Sequence, residues 1–159
     1  MRLRVLVLLA AFTLVPLLVV RPADAEARPK GCGVFSAAVK RESGRLITIG
    51  HRVGNAVTEA RERTDSELAV QFGTLAGKTR EEAARVAALR GPTRGLRYRV
   101  RKLSRWVGAA ADDLQRISLA AAAGDAPAAG AATRRLVDHS RFLRKARRAL
   151  LGRTAETCA

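Results

Sequence analysis

Two kinds of residue in this chain could do chemistry: a pair of cysteines and a crowd of arginines. Cys32 and Cys158 are the only cysteines. Each is too far from another thiol to form a paired-cysteine metal or redox motif, and with two cysteines only one intramolecular disulfide can form. The formal net charge is +16 at pH 7, and arginine outnumbers lysine 25 to 5. Arginine in such excess offers bidentate donors to carboxylates and phosphates. The charge is concentrated: Arg94, Arg97, Arg99, Arg101, Lys102 and Arg105 fall together, with no acid between Glu82 and Asp112. Two readings account for it. One is a polyanionic partner. The other is codon usage in a high-GC genome, which explains arginine over lysine but neither the total positive charge nor its placement.

Other chemistry is poorly represented. His51 and His139 are the only histidines. His139 falls on a predicted apolar stripe and reads as a core or boundary residue; His51 falls off its stripe and reads as solvated. Asp112-Asp113 reads as a solvated pair. There is no H-E-x-x-H, no phosphate-binding glycine loop and no nucleophile elbow. Gly91-Pro92-Thr93-Arg94-Gly95 is a turn. The expectation is a non-enzymatic protein with no catalytic residues, no metal and no cofactor. No zinc-finger spacing, helix-turn-helix or aromatic RNA-binding signature is present, and the aromatics are too sparse for a base-stacking platform. Sequence-specific nucleic acid is therefore not an expected partner.

The elements that must position these residues are helices. From Thr93 to Ala123 the apolar residues Leu96, Val100, Leu103, Val107, Ala110, Leu114, Ile117 and Ala121 follow one another at spacings of 4 and 3. That is one face of a helix. Three further stretches repeat the pattern. The first runs from Val34 to about Arg63 through Phe35, Val39, Leu46, Ile49, Val53, Ala56 and Ala60, with Glu42 as the one break. Gly44 is expected to kink it, and Gly50 and Gly54 to give a flat surface for close packing. The second runs from Thr64-Asp65-Ser66-Glu67, a capping signal, to about Arg90, before Gly91-Pro92. The last follows Gly124-Asp125-Ala126-Pro127, an N-cap with proline in the first turn, and carries Ala132, Leu136, His139, Leu143, Ala146 and Leu150.

Four amphipathic helices on short connections predict an all-α, up-down-up-down antiparallel four-helix bundle. In an even-numbered bundle both chain ends share one end, so Cys32 and Cys158 can meet. Closing so long a loop contributes on the order of 4 kcal/mol in the chain-entropy model. The topology also sorts charge. Glu59, Glu62, Asp65, Glu67, Asp112, Asp113, Asp125 and Asp138 fall at the end away from the termini, leaving the other end strongly cationic. Cations at helix C-termini complement the dipole. Those in the first turns of the third helix do not, and they suit an anion site. The expected anion-contacting residues are Arg94, Arg97, Arg101, Arg141, Lys145 and Arg148.

The N-terminus reads as a secretory signal. Arg2 and Arg4 precede an apolar run over Val5–Val20, and Ala23-Asp24-Ala25 offers small residues two apart. Residues 1–25 are expected to be the signal peptide, 26–33 a tether and 34–159 the bundle. An uncleaved N-terminal membrane anchor is the alternative. Export makes a disulfide chemically reasonable and points to a secreted or cell-surface protein. From Cys32 onward the chain is similar to small exported helical proteins of high-GC Gram-positive bacteria. The likeness rests on the early cysteine, the restart Ala123–Ala129 and a Leu/Arg-rich last helix ending at cysteine. It implies compartment and fold, and no activity. The expected partner is an anionic envelope polymer or lipid headgroup. The alternatives are an interaction module with an acidic protein partner, marked by an exposed apolar patch beside the basic end, and a small-ligand carrier, marked by an apolar cavity around His139, Trp106 and Phe142.

Overall fold

A computed structural model describes residues 29–159. The expected signal peptide, its cleavage site and the first three residues of the tether lie outside the described residues, and the last two residues of the tether, Cys32 and Gly33, already belong to α1. The chain forms four helices: α1 (Cys32–Thr58), α2 (Asp65–Ala87), α3 (Arg94–Ala122) and α4 (Ala126–Cys158). A 3-10 turn over Glu59–Glu62 links α1 to the next connection. Consecutive helices pack against each other, and α4 also contacts α1, so the bundle closes on itself. Cys32 and Cys158 form the disulfide that joins the two ends of the folded region.

Three of the four helices start at a capping side chain; α1 starts at Cys32, two residues before the expected Val34, behind Gly31 and without one. Thr64 caps α2 in a reciprocal capping box: its hydroxyl accepts from the Glu67 N–H, and the Glu67 carboxylate accepts from the Thr64 N–H at 2.8 Å. Those bonds, the backbone one first, hold the Glu67 carboxyl below the usual carboxylate range. Thr93 caps α3 and Asp125 caps α4. Between α3 and α4, Gly124 takes φ +64°, and the Asp125 N–H donates back to the Ala120 carbonyl at 2.9 Å. That left-handed residue ends the helix at little cost because it lacks a Cβ.

Helix α3 is the centre of the bundle. All eight residues of its apolar stripe are buried. It packs most extensively with α2 and α4, whereas α1 shares far less surface with either neighbour. The core has two layers. Near the disulfide, Phe35, Val39, Leu46, Val86, Leu96, Val100, Leu103, Val107, Ala146 and Leu150 cluster; further up, Ala56, Phe72, Leu75, Leu114, Ile117, Ala132 and Leu136 do. Leu143 borders both layers. Two side-chain bonds stitch α3 to α2, from the Ser104 hydroxyl to the Ala83 carbonyl at 2.9 Å and from the Ser118 hydroxyl to the Ala69 carbonyl at 2.7 Å. A methyl group on Gly73 would sit 3.1 Å from the Ser118 hydroxyl, which shows how near α2 lies to α3 there.

Helix α1 departs from two expectations. It runs unbroken through Gly44, so the helix is not interrupted where a kink is expected; the helix continues across a residue whose main penalty is conformational entropy. Gly50 and Gly54 are not close-packing positions. Both are exposed, and a Cβ at either would meet nothing within 4 Å. Gly50 borders a hollow between helices and Gly54 faces open space.

Candidate functional site

The first turns of α3 carry the cations. Positions 94, 98, 101 and 105 follow at 4, 3 and 4, and 98, 102 and 106 at 4 and 4, so Arg94, Tyr98, Arg101, Lys102 and Arg105 share the outward side of α3 while its stripe is buried. Helix α4 runs back beside it. The register is fixed by two contacts: Trp106 stacks on Phe142 with centroids 4.8 Å apart, and Asp113 meets His139 and Arg135. On α4, Arg141, Lys145 and Arg148 follow at 4 and 3 along one face.

The result is a surface of mixed aromatic and cationic character. Tyr98, Arg99, Lys102, Trp106, Phe142 and Lys145 line a hollow of about 370 Å³, floored by Ala146 and Ala149. Arg101 and Arg105 line an adjoining hollow with Tyr98, Lys102 and Trp106. Tyr98 is 57% exposed and Phe142 50%. Such rings present an apolar body and, for tyrosine and tryptophan, a polar tip at an interface. None of Arg94, Arg99, Arg101, Lys102, Arg105, Lys145 and Arg148 has an ion-pair partner among the described residues. Apart from Arg141, which pairs with Asp138 on α4, the arginines that have carboxylate partners lie elsewhere: Arg41 and Arg45 on Glu42, Arg63 on Glu59, Arg80 on Asp112, Arg85 on Glu81, Arg116 and Arg135 on Asp113, and Arg153 on Glu156.

The six expected anion-contacting residues are thus divided. Arg101 and Lys145 reach the aromatic-cationic surface. Arg94 and Arg148 are exposed on the same two helices but line neither hollow. Arg97 folds back over the turn, its guanidinium donating to the Gly91 carbonyl at 3.2 Å. Arg141 pairs with Asp138 at 3.6 Å. Sequence reasoning left Tyr98, Arg99, Lys102 and Arg105 out of the anion-contacting set, and read Trp106 and Phe142 only as the lining of a ligand cavity. The spacing 98, 102, 106 was the available signal, a Tyr-Lys-Trp line on one face of α3.

Beneath this surface lies a charged hub, and it overturns the reading of Asp112-Asp113 as a solvated pair. Asp112 is exposed, but Asp113 is completely buried. The Asp113 carboxylate accepts from Arg116 at 2.9 Å, from Arg135 at 3.4 Å and from His139 Nδ1–H at 2.5 Å. Adjacent helical residues are turned by about 100°, so one can face solvent while the next enters the α3–α4 seam. The hub holds His139 under Trp106, with centroids 5.6 Å apart, and Trp106 in turn carries Phe142. Asp113 therefore positions the aromatic part of the surface without reaching it.

A second buried carboxyl cluster joins α1 to α2. Glu42, the apparent break in the α1 stripe, is buried, and so is Glu82. Burial pushes the Glu82 carboxyl above the usual carboxylate range, and the Glu42 carboxylate beside it pushes the same way. Burial also pushes Glu42 up, but hydrogen bonds from Arg41, Glu82 and Arg45 outweigh it and hold Glu42 below that range. The two carboxyls are thus pushed in opposite directions, Glu82 towards its neutral form and Glu42 towards its ionised one. The Glu82 Oε1 atom is buried without a hydrogen-bond partner among the described residues.

Among the described residues the rings of His139 and Phe142 pack on that of Trp106, and the hollow beside Trp106 and Phe142 is open and cationic. A second hollow, lined largely by aliphatic side chains, lies on the other side of α4, against α1. Among the described residues no helix is long and apolar enough to cross a membrane, and the disulfide is of the kind that persists in an oxidising compartment. Comparison with family models, with curated proteins and with solved structures finds no match.

Proposed function

We propose that this is an exported, non-enzymatic helical bundle that contacts anionic cell-envelope surfaces, lipid headgroups or wall polymers, through the outward side of α3 and the neighbouring edge of α4. The observation that carries the reading is the set of cations without carboxylate partners, interleaved with Tyr98, Trp106 and Phe142. Cations left unneutralised beside half-exposed aromatics suit a charged surface with an apolar layer below it. Export is supported by the charged start, apolar run and small-residue site over residues 1–25 and by the disulfide. The exposed Tyr98 and Phe142 also favour a second reading, an acidic protein partner, because they form an apolar patch beside the charge.

The test is binding of the oxidised protein to anionic vesicles, to wall teichoic acid and to an acidic control protein across a salt series. Each cation near an anionic membrane contributes about 1 kcal/mol, so replacing Arg101, Lys102 and Lys145 by glutamine should weaken vesicle binding by about 3 kcal/mol, or roughly 150-fold. Binding should also fall steeply with salt. No binding of the unaltered protein at low salt, or equal binding by the triple variant, refutes the proposal. Binding confined to the acidic protein selects the second reading.

A further inference from the structure

The gap at Gly50 belongs to a groove of about 470 Å³ between α1 and α4, within the ~300–1,000 Å³ of small-molecule sites. Its walls are aliphatic: Leu46, Ile49 and Val53 from α1, Leu114 from α3, and Leu136 and Leu143 from α4. Its charged lining is of one sign. Arg144 and Arg147 lie one turn apart on α4, His51 stands opposite on α1, and no acidic residue lines any part of it. The α4 cations are thus split between two sides. Arg141, Lys145 and Arg148 belong to the face already described, whereas Ser140, Arg144 and Arg147, spaced 4 and 3, border the groove. Among the described residues Arg144 has no carboxylate partner, and Arg147 uses one donor on the Ser43 hydroxyl at 2.9 Å, keeping the rest of its guanidinium fork.

Poor packing of α1 alone would leave a random gap. This one pairs an aliphatic trough with a rim whose only charged side chains among the described residues are the arginines Arg144 and Arg147, the complement of a single-chain amphiphile with an anionic head. The volume suits one acyl chain better than two. We infer that the groove between α1 and α4 is a binding site for a long-chain fatty acid, its chain lying along Leu46, Val53, Leu114 and Leu136 and its carboxylate meeting Arg144 and Arg147.

The experiment titrates the oxidised protein with cis-parinarate, a fluorescent fatty acid, and displaces it with palmitate or hexadecanol. The expected result is saturable binding of one molecule per chain, with palmitate the better competitor. Gly50→Leu projects a side chain into open space in the groove and should weaken parinarate binding by about tenfold or more. Its thermal midpoint should hold or rise, because leucine replaces glycine within a helix. Arg144→Gln should narrow the preference for palmitate over hexadecanol. The Arg101, Lys102 and Lys145 variant should bind parinarate as the unaltered protein does, which keeps this site separate from the envelope-binding proposal. No saturable binding, or full binding by a folded Gly50→Leu variant, overturns the inference. So does a dimer in light scattering that Gly50→Leu dissociates, since the groove would then be a contact between two copies of the chain.

Discussion

Replacing both Cys32 and Cys158 by alanine is the perturbation whose size follows most directly from the structure. The bond spans a sequence separation of 126 residues, and closing a loop of that length removes about 5 kcal/mol of denatured-state freedom at 25 °C in the chain-entropy model. Alanine fills most of the Cys32 site, which is buried, so little of the loss should come from packing. Urea unfolding should therefore show a drop of about 4–5 kcal/mol, and the thermal midpoint should fall by about 10–20 °C for a domain of this size. The loss should also be uneven. Helix α1 packs less extensively than the others and borders an open groove along its upper half. Without the bond it should open ahead of the rest, and hydrogen exchange should show α1 amides losing protection while α3 amides keep theirs. A loss below about 1.5 kcal/mol with an unchanged denaturant slope would mean that the denatured chain already holds its ends together. Equal protection of α1 and α3 in the variant would refute the weak docking of α1.

Three further outcomes are expected. Glu82→Gln should stabilise the protein above the ordinary carboxylate range. A carboxyl whose pKa is raised by folding contributes nothing below its unfolded value and disfavours the fold progressively as pH climbs through its folded one; the faced groups are Glu42, Arg41 and Arg45 on α1 and Arg85 on α2. Urea midpoints across pH should thus fall for the unaltered protein over that window and fall less for the variant, a difference that identical slopes would exclude. Asp113→Ala should cost about 2–3 kcal/mol, towards the lower end for a buried ion pair because Arg116 and Arg135 are half-exposed and can turn to water; Trp106 fluorescence should change with it, as His139 loses its anchor. Gly91→Ala should lose about 1–3 kcal/mol, since its Cβ would stand 2.9 Å from the Arg97 nitrogen and 3.0 Å from the Leu96 carbonyl carbon, whereas Gly77→Ala, with nothing in reach, should gain up to about 1 kcal/mol. Equal melting of the two alanine variants would remove that distinction.

How far the sequence reaches differs from element to element. Helix α3 was legible to the residue, because a continuous stripe at 4 and 3 admits one buried face. The meeting of Cys32 with Cys158 followed from helix parity alone. The carboxylates were not legible, for a common reason: an acid is read as solvated unless a partner is seen, and partners come from other helices. Asp113 does stand seven residues after Trp106 and fourteen after Arg99, all on the flank that faces α4. Glu42 and Glu82 each occupy a stripe position, and two such acids on neighbouring helices are a pattern that could have been matched. Gly50 illustrates a deeper limit. A glycine on a helix permits close approach and equally permits emptiness, and only the placement of the neighbouring helix decides between them.

The position of the disulfide has a topological effect that goes beyond stability. All four helices and every connection between them lie inside the ring closed by Cys32 and Cys158. A protease that cuts once in the turn before Thr93, or in the segment after Glu62, would open that ring without separating the pieces. The two fragments would stay linked at one end, with their helices still able to dock as before. The molecule is therefore built to survive a single nick as one particle, and two cuts are needed before any part of it can be lost.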